Sequence, residues 1–281
     1  ALEKSKIDII ELGYLDDKKG NSINSTLFNS IVSVDKALSD LAKTVQKVVM
    51  IDLFCFDIDK LPLQSDTKIN GIRLAFHKKD INTALMTAKK IIDLGYQLFF
   101  QPMVTKNYTY DEFSALLIMA NKLNIYAFYV VDSFGSMSLN EFQYYISLAN
   151  KFLNSSIVLG YHSHNNMQLA FSNAINLCSE KIDREVILDS SIYGMGRGAG
   201  NLNTELIADY LNTINKHKYQ IIPLLEVIDE ILVFYFKKHP WGFSPAQYLS
   251  ASLDCHPHYA SYLVNKKTTH IADIRQILEN I

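Results

Sequence analysis

The 281-residue chain is 48% hydrophobic and 20% charged, and its formal charge of −2 argues against nucleic acid or an anionic membrane as partner. No signal peptide is evident and no apolar run is long enough to span a bilayer. Cys55, Cys178 and Cys255 form no C-x-x-C pair, which argues against a disulfide framework or thiolate zinc site and fits a reducing cytoplasm.

The opening "ALEKSKI" reads as the end of a helix feeding a strand over 7–13, which carries Glu11. The polar stretch 20–30, "GNSINSTLFNS", follows and reads as a lid. Further short apolar runs predict strands over 47–53, 71–76, 96–103, 125–132, 157–164 and 185–190. Helical patterns lie between them. Over 80–94, Ile81, Ala84, Leu85, Ala88, Ile91 and Ile92 recur at helical spacing, with Asp80 as N-cap and Gly95 as the stop. Strands alternating with helices imply right-handed βαβ units and a parallel sheet.

Polar residues at the strand ends (Glu11, Asp52, Asp132, His162 with His164, Asp189), and the lack of a Gly-rich dinucleotide loop, favour a TIM (β/α)8 barrel over a doubly wound sheet. Seven strands leave that barrel lacking its first strand in this chain. The catalytic barrel is expected over 1–211 and a C-terminal helical extension over 212–281, its final helix capped by Thr268 or Thr269.

Three stretches carry the chemistry. In "LGYHSHNNMQ", His162 and His164 stand two apart on a strand, so both project to one face and can converge on a divalent metal or simply hydrogen-bond together. In "VVDSFGSM", Asp132 and Ser133 reach the rim; Ser138 is the better cap for the next helix, which frees them for a ligand. In "YGMGRGAGNLN", alternating glycines, Gly198 among them, let backbone amides approach an anion; Arg197 can clamp a carboxylate and the Asn201 amide oxygen can ligate a metal. Arg73, amid apolar neighbours in "GIRLAF", needs either an internal ion pair or a substrate carboxylate.

Together and in this order, "GYHSHNNMQLAFSNAI", "VVDSFGSM" and "YGMGRGAGNLNTEL" resemble the HMG-CoA-lyase-like DRE-TIM metallolyases, most nearly the 4-hydroxy-2-oxovalerate aldolases. The resemblance covers residues 1 to about 210 and extends loosely into the tail. It implies His162 and His164 as metal ligands, Asn201 beside the metal and Ser133 as a substrate-oxygen contact. In "HPHYASYL" it implies Tyr259 as an acid/base tyrosine, with His256 as the other candidate base. The implied activity is divalent-metal-dependent (Mn²⁺ or Mg²⁺) aldol cleavage or formation of a 4-hydroxy-2-oxo acid, giving pyruvate plus an aldehyde.

Two departures stand out. The family's D-x-T-L-R-D-G segment, which supplies an aspartate ligand and a catalytic arginine, is absent from this chain, and the glycine loop has no cysteine, unlike the HMG-CoA lyases. Claisen-type acyl transfer, as in isopropylmalate synthases, and a catalytically silent partner subunit remain alternatives. The resemblance also implies a homodimer, and an aldehyde dehydrogenase as a partner docking on the aromatic tail over 233–263.

Overall fold

The structure, a computed structural model, describes residues 1–19, 25–37, 45–180, 182–214, 217–267 and 270–281. All seven expected strands form: β1 (Ile9–Leu15), β3 (Gln46–Asp52), β4 (Gly71–Phe76), β5 (Gln97–Pro102), β6 (Ala127–Asp132), β7 (Val158–Ser163) and β8 (Val186–Leu188). An eighth, β2 (Leu27–Phe28), comes from the stretch expected to be a lid; residues 20–24 of that stretch lie outside the described ones. All eight strands run parallel in the order β2-β1-β3-β4-β5-β6-β7-β8.

Strand periodicity sorts side chains into two layers. On β4 to β7, Ile72, Leu74, Phe100, Phe128, Val130, Leu159 and Tyr161 join the large core shared with the helices. Their neighbours Phe99, Ala127, Tyr129, Val131 and Val158 form a second, smaller cluster on the other face. Arg73 and His162 belong to that second face by parity. Arg73 on β4 pairs with both Glu11 on β1 and Asp189 just after β8. One side chain reaches both flanks of the sheet only if the sheet is curled, so this is a TIM-like half-barrel with the small cluster inside.

Helices α1 (Ile31–Ala37), α2 (Ile81–Asp93), α3 (Tyr110–Asn121), α4 (Leu139–Phe152), α5 (Ala170–Ser179) and α6 (Thr204–Ile214) form the outer layer. Ser138 caps α4 in a reciprocal box with Glu141, and Thr109 does the same for α3 with Glu112. Asp80 does occupy the N-cap of α2, but its side chain makes no cap bond.

The extension begins with α7 (Ile222–Val227), passes through a π-helical turn at Ile228–Leu232 and continues as α8 (Val233–Lys238). Three short helices follow: α9 (Pro245–Ser252), α10 (Pro257–Asn265) and α11 (Ile271–Leu278). Thr268 and Thr269, the expected caps of α11, lie outside the described residues. The extension is fastened at both ends of the barrel. At the strand N-terminal end, Asp8 binds Lys218 and Tyr219, and the Gln220 amide donates to the Ser5 carbonyl. At the opposite rim, Trp241 Nε1 donates to the Tyr193 carbonyl at 2.8 Å, and Lys106 pairs with Asp254 at 2.5 Å. No helix among the described residues is long and apolar enough to cross a membrane, and all three cysteines are free thiols.

Candidate active site

The strand C-terminal ends meet in a rim, and its centre is a buried charge network. The Arg73 guanidinium donates to the carboxylates of Glu11 and Asp189, and its Nε donates at 2.9 Å to the Gln101 side-chain oxygen once that amide is turned toward it. It also lies 5.5 Å from the Tyr129 ring centroid. The internal-partner alternative for Arg73 therefore accounts for its charge, with Glu11 as one of the partners. Burial opposes the charge, but Asp189 and Glu11 outweigh it and hold the guanidinium more basic than usual.

Asp189 extends the network to the first histidine, its Oδ2 lying 2.8 Å from His162 Nδ1. Burial would raise its pKa, yet Arg73 and the His162 hydrogen bond dominate and hold the carboxyl below its usual range. Tyr129 shares this carboxylate through its phenol, whose own pKa burial and Asp189 push well upward.

His162 and His164 do converge: their ring centroids are 5.4 Å apart with planes 80° to each other. Burial, then the charges of His162 and Arg197, lower the His164 pKa to about 3, so its imidazole is neutral with a lone pair at physiological pH. His164 also forms an isolated bridge with Asn201, which brings the glycine loop against β7. Asn201 Nδ2 donates to the Met195 carbonyl, while its buried Oδ1 has no hydrogen-bond partner among the described residues. Glycine at 196 permits this close approach: a Cβ there would sit 2.5 Å from Asn201 Nδ2.

The remaining expected residues fall elsewhere around the rim. Arg197 lies close enough to His164, His256 and Tyr14 to act on all three electrostatically. Ser133 Oγ accepts the Val104 amide at 2.9 Å, which leaves its proton free to donate. Asp132 is fully enclosed and accepts the amides of Ser136 and Met137, bracing its own loop instead of facing the mouth. Strand parity explains this, since Asp132 follows Phe128 and Val130 onto the helix side. Gly198 meets the extension: its φ is +63°, a Cβ would lie 2.7 Å from Gln247 Oε1, and its carbonyl accepts the Gly242 amide. Tyr259 is 43% exposed on α10. His256, which precedes that helix, packs edge-on against Phe134 at 5.7 Å, and burial, Arg197, His258 and His77 lower its pKa.

Sequence reasoning missed Gln101 and Tyr129 entirely and saw Asp189 only as one polar residue at a strand end. Alternation on β5 and β6 is the signal that places Gln101 and Tyr129 inside, beside Arg73.

The donor set suits a divalent cation of the Mn²⁺, Fe²⁺, Co²⁺ or Zn²⁺ kind: two imidazoles on one strand end and a partnerless buried amide oxygen. Among the described residues no group of three or more His, Cys, Asp and Glu side chains gathers to hold a metal. Beside the two imidazoles, the Asn201 amide oxygen is a further oxygen atom at this strand end that is left without a hydrogen bond among the described residues.

Fold and rim together define an α/β barrel of the kind that works at its strand C-terminal ends. A family model described as HMGL-like matches residues 64–229, more than half of the chain, and the chain belongs to the HMGL-like family, a family of enzymes. It is 23% identical over 235 residues to a 4-hydroxy-2-oxovalerate aldolase, a lyase, of Bacillus thuringiensis (strain Al Hakam), covering 83% of this chain and 67% of the relative. It is likewise 23% identical over 243 residues to 4-hydroxy-2-oxovalerate aldolase 6 of Rhodococcus jostii (strain RHA1), covering 85% and 68%. Among solved structures, the N-terminal domain of a candidate aldolase from Bacteroides vulgatus superposes with a TM-score of 0.76 at 25% identity, over 94% of this chain and 86% of that one. The HMG-CoA lyase of Bacillus subtilis shares the fold at a TM-score of 0.64 and 15% identity, over 84% and 83%.

Proposed function

We propose that the rim belongs to a divalent-metal-dependent aldolase that cleaves or forms a 4-hydroxy-2-oxo acid, with pyruvate and an aldehyde on the other side of the reaction. The observation that carries this reading is the meeting of His162, His164 and the partnerless Asn201 Oδ1 at one strand end. The aldolase names of the relatives agree with it. Two nitrogen donors favour Mn²⁺ over Mg²⁺. When bound, the cation supplies Lewis-acid polarisation of the 2-oxo group.

The side chains of this chain would do the rest. Arg197, near enough to act on the buried His164, puts fixed positive charge where the substrate oxygen becomes negative. Ser133 can donate its free O–H to a substrate oxygen while the Val104 amide fixes its position. His256, kept neutral by burial and by Arg197, is the better placed of the two tail candidates to take the proton from the 4-hydroxyl. Tyr259, one helical turn further on, is largely solvent-facing.

Mn²⁺ titration together with pyruvate release tests the proposal on wild type, His162→Ala and His164→Ala. Each substitution should weaken Mn²⁺ binding by about tenfold or more, and pyruvate release should fall in parallel. Wild-type levels of binding and turnover in either variant would rule the proposal out.

A further inference from the structure

We propose that Asp189 is a positioning residue for His162: clamped from its far side by Arg73, it takes the ring's Nδ1 proton in hydrogen bonding and leaves Nε2 as the lone pair His162 offers outward. The inference rests on the reading of His162 as a cation ligand. It adds what fixes the ring's tautomer, a choice that an isolated imidazole leaves nearly open.

Every group facing Asp189 other than His162 is a donor. The Arg73 guanidinium has no acceptor and donates to the same oxygen, Oδ2, that His162 Nδ1 approaches at 2.8 Å. The Tyr129 phenol donates from inside the barrel. Glu11 and Gln101 hold Arg73 from its other edges, so the guanidinium cannot swing away without stranding partners. In this setting Asp189 is ionised and has no proton to give. An unprotonated Nδ1 would set one lone pair against another at hydrogen-bond distance, so the neutral ring carries its proton on Nδ1. The same clamp commits Asp189 to Arg73 and His162, which is why a carboxylate so close to the histidines is not itself a cation ligand.

Asp189→Ala removes the acceptor that Arg73 and His162 share. Without that acceptor nothing fixes the ring proton on Nδ1. Asp189→Asn would not do so, because its single oxygen can stay in the shared position and leave the ring's tautomer unchanged.

Nitrogen NMR of ¹⁵N-histidine-labelled, metal-free protein, about two pH units above the ordinary histidine pKa, reads the tautomer directly. Wild type should show the proton on Nδ1 of His162, and Asp189→Ala should lose that preference. Mn²⁺ affinity of the variant should fall about 10–100-fold. A wild-type ring protonated on Nε2 overturns the proposal, and this measurement decides it even if the variant does not fold. A folded Asp189→Ala that keeps the proton on Nδ1 overturns it as well. A wild-type ring protonated on Nδ1 in a protein that binds no Mn²⁺ supports the clamp and sinks the cation reading, so the two failures are distinct.

Discussion

Asp132 and Asp189 both end strands of one sheet, yet burial acts on them with opposite results. Asp189 meets a guanidinium and stays ionised; Asp132 meets only backbone amides, and desolvation raises its carboxyl to about 6 despite them. The consequence for stability follows in sign. Between the unfolded value near 3.8 and the folded value near 6, the folded chain holds a proton that the unfolded chain has lost. The stability from that proton is complete below the lower value and is lost as pH rises through the upper one, by roughly 2–3 kcal/mol in all. Urea denaturation of wild type and Asp132→Asn at pH 4 and pH 7 checks this. Wild type should lose ground to the variant by about that amount on going to pH 7; a constant difference would mean that Asp132 ionises freely.

At the scale of elements, the parts of the chain governed by local rules were legible and those governed by distant ones were not. The strands announce themselves as short apolar runs, and Ser138 followed by Glu141 marks the start of α4. Removing that cap by Ser138→Ala should cost about 1 kcal/mol in urea denaturation, with no change in the rim. β2 was illegible because two residues carry no periodicity; it exists only because Tyr14 and Leu15 of β1 offer it a register. The meeting of His162 with Asp189 was hidden for a related reason: the pair is joined across adjacent strands, but Arg73, which fixes its chemistry, arrives from three strands away from β7. The tail was half legible. Its helices could be read from composition, whereas the exposure of Tyr259 and the inward packing of His256 depend on how α10 meets Phe134.

At the scale of the whole molecule, the strand–helix rhythm stops near residue 211. The segment that follows is tied to the barrel floor through Asp8 and Ser5, climbs by way of α7 and α8, and is tied to the rim through Trp241, Gly242, Gln247 and Asp254. An extension fastened at both ends shares its free energy with the barrel. Calorimetry should therefore give a single transition whose calorimetric and van't Hoff enthalpies agree; two resolved transitions would mean that the extension melts independently.

The climb itself contains the widened turn at Ile228–Leu232. Such a turn holds one residue more than an α-helix of the same span, and each residue turns a helix by about 100°. Phe236 beyond it stacks on Tyr193 and Trp241, the aromatic trio that seats the extension on the glycine loop. The widened turn absorbs the extra residue within itself, so the helix beyond keeps its phase. Deleting Asp229 should therefore regularise the helix while leaving Phe236 on its seat, with amide exchange over 240–250 unaltered; faster exchange there would show that the extra residue is not absorbed within the turn.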